Sequence, residues 1–218
     1  MTKSSQATAA SCLRGAGRPK ASDVEARTQD LIDVAARLFL ANGYTRTSLE
    51  AIARAARVAV RTIYVKFGGK AGLLEAVLLS RRDQYFQMGD MEHDLRPFRE
   101  VVDDFARHFF DLLCNEQAIA MQRVVIAEAA GNPELANAFY DAGPRRTRDM
   151  LERFFARADV RAQLRTDLPF DQLPAFLTSW IAGDAVQRFV FPDAQPARAE
   201  AHRLLAQRLE MFYRSVLR

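Results

Sequence analysis

Residues 44–70 read YTRTSLEAIARAARVAVRTIYVKFGGK, and this stretch decides how the rest of the chain is read. Leu49, Ile52 and Ala53 fall on one face of a short helix at about 48–55. Residues 56–58 make a turn plugged by Val58, and Ile63 and Phe67 anchor a second short helix, about 59–66, by their i, i+4 spacing. Ala55 and Ala56 are small enough to let two helices cross closely. Thr47 or Ser48 caps the first helix, and Glu50 stands three residues after Thr47, the spacing of a capping box. Gly68-Gly69 then breaks the second helix.

With these apolar residues turned inward, the second helix is left presenting Val60, Arg61, Thr62, Tyr64 and Lys66. A helix so furnished fits the major groove of double-stranded DNA with its N-terminal residues on base edges. Arg61 suits guanine O6 and N7, and Val60 suits a thymine methyl. Tyr64, Lys66 and Lys70 suit phosphates, as does Thr47 at a helix N-terminus.

Charge is distributed to match. Residues 1–70 hold 12 Lys/Arg against 5 Asp/Glu, a surplus of +7, while the whole chain carries +4. The remaining 148 residues are therefore mildly acidic, at −3. A basic lobe on a nearly neutral protein favours a polyanion, although a merely solvated basic face has the same composition. Residues 1–22 are Ser/Ala/Gly-rich and read as a disordered basic arm. Within it, the segment Arg14–Lys20 has the composition of a minor-groove arm, and equally of a simple leader.

Beyond the arm the pattern is helical throughout, with no sustained period-2 alternation. Leu31, Ala35, Leu38 and Phe39 define a helix at 25–42, and a longer helix begins near Lys70. Pro97 opens the next, with Phe98, Val101, Val102, Phe105 and Phe109 on its inner face. A helix at 117–130 follows, and then one from Pro133 to about 158, kinked at Gly143-Pro144. Two last helices are expected at 170–190 and 197–216. The fold class is all-α, with about nine helices in three parts: the arm at 1–22, a helix-turn-helix domain at 23–70 and a helical body at 71–218.

Other classes of function find no support. There is no HExxH, no GxSxG and no phosphate-binding loop, so neither an enzyme nor a cofactor is expected. The three histidines and the cysteines Cys12 and Cys114 form no metal-ligand spacing. No apolar run approaches the ~20 residues of a membrane span, and no signal-peptide stretch opens the chain. A reduced cytoplasmic setting is the expectation.

The stretch from Leu31 to Leu74 resembles the DNA-binding domain of the TetR family. The matching features are Ala35-Ala36-Arg37-Leu38-Phe39, Gly43-Tyr44, Thr47-Ser48, Ile52-Ala53, Ala56, Val58, Thr62-Ile63-Tyr64, Phe67 and Lys70. Two positions depart from the family pattern. Arg57 stands where a turn glycine is common, and it either tolerates a positive φ or adopts another turn, and its guanidinium is a candidate phosphate contact. Ala59 stands where Ser or Thr usually caps the recognition helix, a loss of about 1 kcal/mol. In the body, Met121–Ala130 and Phe139–Arg146 resemble the C-terminal domain of AefR-like members.

The resemblance implies a homodimer whose helical body senses a ligand. The implied effector pocket draws on Phe86, Phe105, His108, Phe109, Leu112, Met121, Val125, Phe139, Tyr140, Phe154 and Trp180, which suit a small hydrophobic or aromatic effector. An aromatic stripe at helical spacing serves a core more often than a pocket, so each of these has a second reading. The dimer interface is expected on the two last helices, through Phe176, Ile181, Gly183, Leu205, Leu209 and Phe212, unless those helices pack on their own body. The resulting expectation is a repressor released from a palindromic operator by its effector. The alternatives are an effector-independent DNA binder and a helical protein-interaction module.

Overall fold

The computed structural model describes residues 21–86, 91–184, 191 and 197–218. The basic arm, apart from Ala21 and Ser22, and Cys12 with it, lies outside these residues. So do residues 185–190 of the helix expected at 170–190.

The first helix, α1 (Ala21–Asn42), buries Leu31, Ala35 and Phe39. It ends at Gly43, whose φ of 82° belongs to the left-handed region. Glycine is required there twice over, because a side chain would also run into Glu128 Oε1. The helix-turn-helix pair, α2 (Leu49–Ala56) and α3 (Val60–Phe67), follows. Next comes α4 (Lys70–Tyr85), which carries Leu73, Leu74 and Val77 into the same core as α1, α2 and α3. That core also takes in Met121, Val125, Leu135 and Ala138 from further along the chain. The packed N-terminal unit therefore continues past residue 70 and is covered by elements of the body.

A second core is built from α5 (Phe98–Leu113), α8 (Arg146–Ala156), α10 (Leu173–Ala182) and α11 (Arg198–Val216). Phe98 stacks on Phe154 at 5.9 Å, and Phe105 on Phe109 at 5.4 Å. Tyr213 on α11 donates to Asp103 Oδ1 on α5 at 2.6 Å. Burial first, and then this carboxylate, push the phenol pKa far above its ordinary value. The first core is completed by α6 (Glu116–Glu128), capped by Asn115, and α7 (Pro133–Tyr140). The short α9 (Ala158–Gln163) leads to an isolated antiparallel bridge, Leu164 to Leu217, that pins the chain's end.

The kink expected at Gly143-Pro144 takes a specific form. Residues Asp141–Arg145 make a π-helical turn joining α7 to α8 without a break. Proline has no N–H to give and crowds the preceding turn, and the wider turn accommodates it. The helix expected at 170–190 stops at Ala182, because Gly183 adopts a φ of 53°.

Candidate functional site

In the helix-turn-helix, Ser48 is the N-cap of α2, and its Oγ accepts the Ala51 N–H at 3.1 Å. This corrects the expectation for Thr47. The Thr47 side chain is buried, and its hydroxyl donates to the carbonyls of Gly43 at 2.7 Å and Leu38 at 3.2 Å. It holds the end of α1 to the start of α2, and the helix N-terminus expected at Thr47 lies one residue on, at Ser48. With Ser48 as the cap, Glu50 is only the second helical residue and no capping box forms.

The turn resolves the question raised by Arg57. Its φ of 55° makes it the one non-glycine residue in the left-handed region among those described. The hydrogen bonds around it form a Schellman motif. Val58 N–H reaches Ala53 O at 2.9 Å, and Arg57 N–H reaches Arg54 O at 3.3 Å. Val58 and Ala53 join the same core, which is the apolar contact that accompanies this motif. Arg57 thus does a glycine's backbone work at a cost of about 1–2 kcal/mol while keeping an exposed guanidinium. Ala59 caps α3 with no side-chain bond, as its residue type dictates.

On α3, Ile63 is fully buried and Phe67 half-buried, as the spacing requires. Val60 is also half-buried, packed on the N-terminal core, which corrects its assignment to the exposed face. It lies three and seven residues before Ile63 and Phe67, on the same stripe. The exposed valine is Val65, at 75%, beside Arg61 and Tyr64, at 55%. Thr62 is half-buried next to them. The outward face is therefore Arg61, Thr62, Tyr64 and Val65, with Lys66 at its edge bonded back to the Thr28 hydroxyl.

Lys70 is not a free surface cation. Its Nζ lies 3.2 Å from Thr45 O and 4.4 Å from the centre of the Tyr44 ring. Burial lowers its pKa, and Glu128 partly offsets this. It belongs to a junction that no local pattern in the sequence marks. Glu128, at the end of α6, accepts the N–H groups of Tyr44 at 3.0 Å and Thr45 at 2.7 Å, together with the Thr45 hydroxyl. Asn132 donates to the same hydroxyl oxygen at 3.1 Å. Burial works against the Glu128 carboxylate, but the bonds from Thr45 and Tyr44 and the charge of Lys70 prevail, so its pKa falls below the ordinary value. A single carboxylate of the body thus holds the loop that leads into α2.

A cavity of about 470 Å³ opens at the seam between the two cores. Its walls come from α1, α4, α5, α6, α7, the π-helical turn, α8 and α10. Of the residues expected to line a pocket, Phe109, Leu112, Met121, Phe139 and Tyr140 do so. Phe86, Phe105, Phe154 and Val125 are instead buried within the cores, and Trp180 packs half-buried against the C-terminal one. His108 is also off the wall, its Nδ1 lying 2.7 Å from Asp104 O one helical turn back. The sequence reading missed the polar wall: Arg81, Arg82, Gln117, Gln122, Thr147, Arg148 and Thr178. Among the described residues no cluster of His, Cys, Asp and Glu could hold a metal ion, and no helix is long and apolar enough to cross a membrane.

Two family models cover most of this architecture. Residues 31–77 match the model for bacterial regulatory proteins of the tetR family, and residues 100–215 match that for the AefR-like transcriptional repressor C-terminal domain. The chain belongs to the TetR family of transcriptional regulators. An uncharacterized HTH-type transcriptional regulator of Mycobacterium tuberculosis is 24% identical over 178 residues, 79% of this chain and 80% of its own length. The flavonoid-responsive regulator FrrA superposes with a TM-score of 0.70 at 25% identity, covering 88% of this chain and 98% of its own. NalD of Pseudomonas aeruginosa, the secondary repressor of the MexAB-OprM multidrug efflux pump, gives 0.61 at 24% identity, covering 90% and 99%. The family consists of regulators rather than enzymes.

For this TetR-family chain the expected dimer residues need correction. Ile181, Leu205, Leu209 and Phe212 are buried within the protomer, in the core shared by α5, α8, α10 and α11. Each of the two last helices must cover the aromatic face of α5, and its strongest apolar stripe is consumed in doing so. Gly183 serves as the C-cap of α10, where a side chain would meet the Arg208 guanidinium. Phe176 does point outward, 45% exposed, and so do Leu204 and Met211, the latter 56% exposed.

Proposed function

We propose that this TetR-family regulator is a homodimeric repressor that leaves a palindromic operator when a small hydrophobic or aromatic molecule fills the cavity. The supporting observation is the position of α4. It starts at Lys70, three residues after the outward-facing helix α3, and lends Leu73 and Leu74 to the N-terminal core and Val77 and Leu78 to the cavity wall. Anything that displaces α4 from within the cavity displaces the reading head as well. A ligand acts only to the extent that it binds the DNA-incompetent arrangement more tightly. FrrA responds to flavonoids and NalD represses an efflux pump, so ligand-responsive repression on this fold has precedent.

In this reading Arg61, Thr62, Tyr64 and Val65 enter the major groove, while Arg57, Lys66 and the N-terminus of α2 at Ser48 engage phosphates. Val65 takes the thymine-methyl role that Val60 is too buried to fill. Two protomers associate through the outward faces of α10 and α11, around Phe176, Leu204 and Met211. Dimerisation sets the two α3 helices about 34–36 Å apart, one turn of DNA, or a multiple of it.

Gel-shift and footprinting assays on the gene's own upstream DNA test the reading. The expected result is a protected site with two-fold symmetry. Steep salt dependence without a preferred site would instead favour an effector-independent binder. Sedimentation of Met211→Asp is expected to show a monomer where the unmodified chain is a dimer.

A further inference from the structure

The polar part of the cavity wall has a definite sign. It contains three arginines, Arg81, Arg82 and Arg148, and no aspartate or glutamate. Two of the three already have acid partners outside the cavity. Arg81 pairs with Asp33 of α1 at 3.1 Å, and Arg148 pairs with Glu152 one turn along α8 at 3.2 Å. Arg82 differs. Among the described residues no carboxylate pairs with its guanidinium, whose one described contact lies 4.9 Å away, the face of Phe86. Burial, chiefly, and the charge of Arg146 both work against the cation, with Asp83 offsetting them in part.

A second group on the same wall is also unengaged. Thr147 is 5% exposed, yet its hydroxyl has no protein partner among the described residues. Thr178, which lines the cavity from α10, behaves as a helix threonine ordinarily does and bonds back to the carbonyls of Pro174 and Ala175 at 2.9 and 3.0 Å. Thr147 stands where the π-helical turn hands over to α8, and that turn packs against α4, which bears Arg82. A half-buried cation with no carboxylate paired to it and a hydroxyl with no hydrogen-bond partner among the described residues, both on the cavity wall, are groups that a ligand entering the cavity must match. One ligand group satisfies both: an anionic oxygen pair, accepting from the guanidinium and from the hydroxyl.

We propose that the cavity takes an amphiphilic anion, a hydrophobic or aromatic body bearing a carboxylate or comparably acidic oxygen, whose charged end is held by Arg82 and Thr147. The proposal rests on the reading of the cavity as the effector site and narrows it from a hydrophobic molecule to an anionic one. The apolar body lies against Phe109, Leu112, Met121 and Phe139. Anion binding on α4 also places negative charge beside Arg81, in competition with Asp33 of α1, at the helix that joins cavity and reading head.

The test uses the full chain and two ligand pairs: decanoate against decanamide, and biphenyl-4-carboxylate against biphenyl-4-carboxamide. Affinities are measured by titration calorimetry, and release from operator DNA by gel shift. Each carboxylate is expected to bind about tenfold or more tightly than its amide. In Arg82→Met the preference is expected to fall to within about threefold, while Arg82→Lys retains it in part and Thr147→Val reduces it. Amides binding as tightly as the acids to the unmodified chain would overturn the proposal and leave the cavity standing as a site for neutral effectors. Should neither member of either pair bind at up to about 1 mM, both the proposal and the effector reading fail. Acids that bind with the expected preference but do not release DNA would uphold the anion site and remove its role in release.

Discussion

The helix-turn-helix and the cavity are built on opposite plans. The first is contiguous: residues 44–70 contain both helices, the turn, the cap and the outward face. The second gathers its wall from positions as far apart as Ala36 and Ala182. One is a pattern of side chains, and the other is the space left where two cores fail to meet. Local chemistry determines the first almost completely. The second depends on how the long helices lie against one another, which small changes in packing can alter. The same chain is therefore rigidly specified where it faces DNA and adaptable where we propose that it receives a ligand.

The largest effect expected separates wall from core. Phe105→Ala should lower stability by about 3–5 kcal/mol in chemical denaturation, because it empties a fully buried site. Phe109→Ala, on the cavity wall, should cost clearly less, since its ring already borders a void. Equal losses would mean that the cavity closes in solution.

The reading face comes next. Arg61→Ala should weaken operator binding by about 1–3 kcal/mol and relax base preference at one position in each half-site. Lys66→Ala should weaken all sequences alike and reduce the salt dependence. Footprint titrations over a set of base-substituted operators distinguish the two. A uniform loss for Arg61→Ala would reduce it to a phosphate contact and move specificity to Tyr64 and Val65.

Glu128 joins the two regions, and its removal tests how tightly. Glu128→Ala leaves the Tyr44 and Thr45 N–H groups without their acceptor, at a cost of about 1–3 kcal/mol. Because the folded-state pKa lies below the ordinary carboxylate value, this contribution is fully present above that value and is lost as pH falls through the depressed one. The unmodified protein should therefore lose stability on acidification more steeply than the variant in thermal melts across that range.

The smallest effect concerns the turn. Arg57→Gly should raise stability by about 1 kcal/mol by relieving the left-handed backbone of a side-chain-bearing residue. It should also weaken DNA binding slightly by removing an exposed cation. A variant that is less stable would show that the Arg57 side chain compensates for its own backbone.

Much of the helix-turn-helix was legible because helical period and apolar type together orient each residue. Leu49, Ile52, Ala53 and Ile63 are buried as their spacing required. The errors arose where a residue had two permissible partners. Thr47 and Ser48 are both good caps, and only the end of α1 decides that Thr47 turns inward to Gly43 and Leu38. Val60 and Val65 are the same residue type on opposite faces of α3, and the first helical turn was read as outward when its valine completes the stripe of Ile63 and Phe67. In the cavity, the apolar residues were half legible and the polar ones not at all. Arginine on a helix reads as a solvated face, and nothing local distinguishes Arg82 from Arg81.

By itself the sequence determined an all-α chain, the helix-turn-helix, the kink at Pro144 and the family, because these follow from local periodicity, capping and backbone geometry. Tertiary structure alone decided that Ile181, Leu205, Leu209 and Phe212 serve the protomer's own core, that Glu128 holds the loop into α2, and that Arg82 and Thr147 line one cavity, where among the described residues no carboxylate pairs with the first and no hydrogen bond engages the hydroxyl of the second. The physical reason is that burial and pairing belong to surfaces brought together from distant parts of the chain. A helix shows which of its faces is apolar, but only its neighbours determine what that face covers.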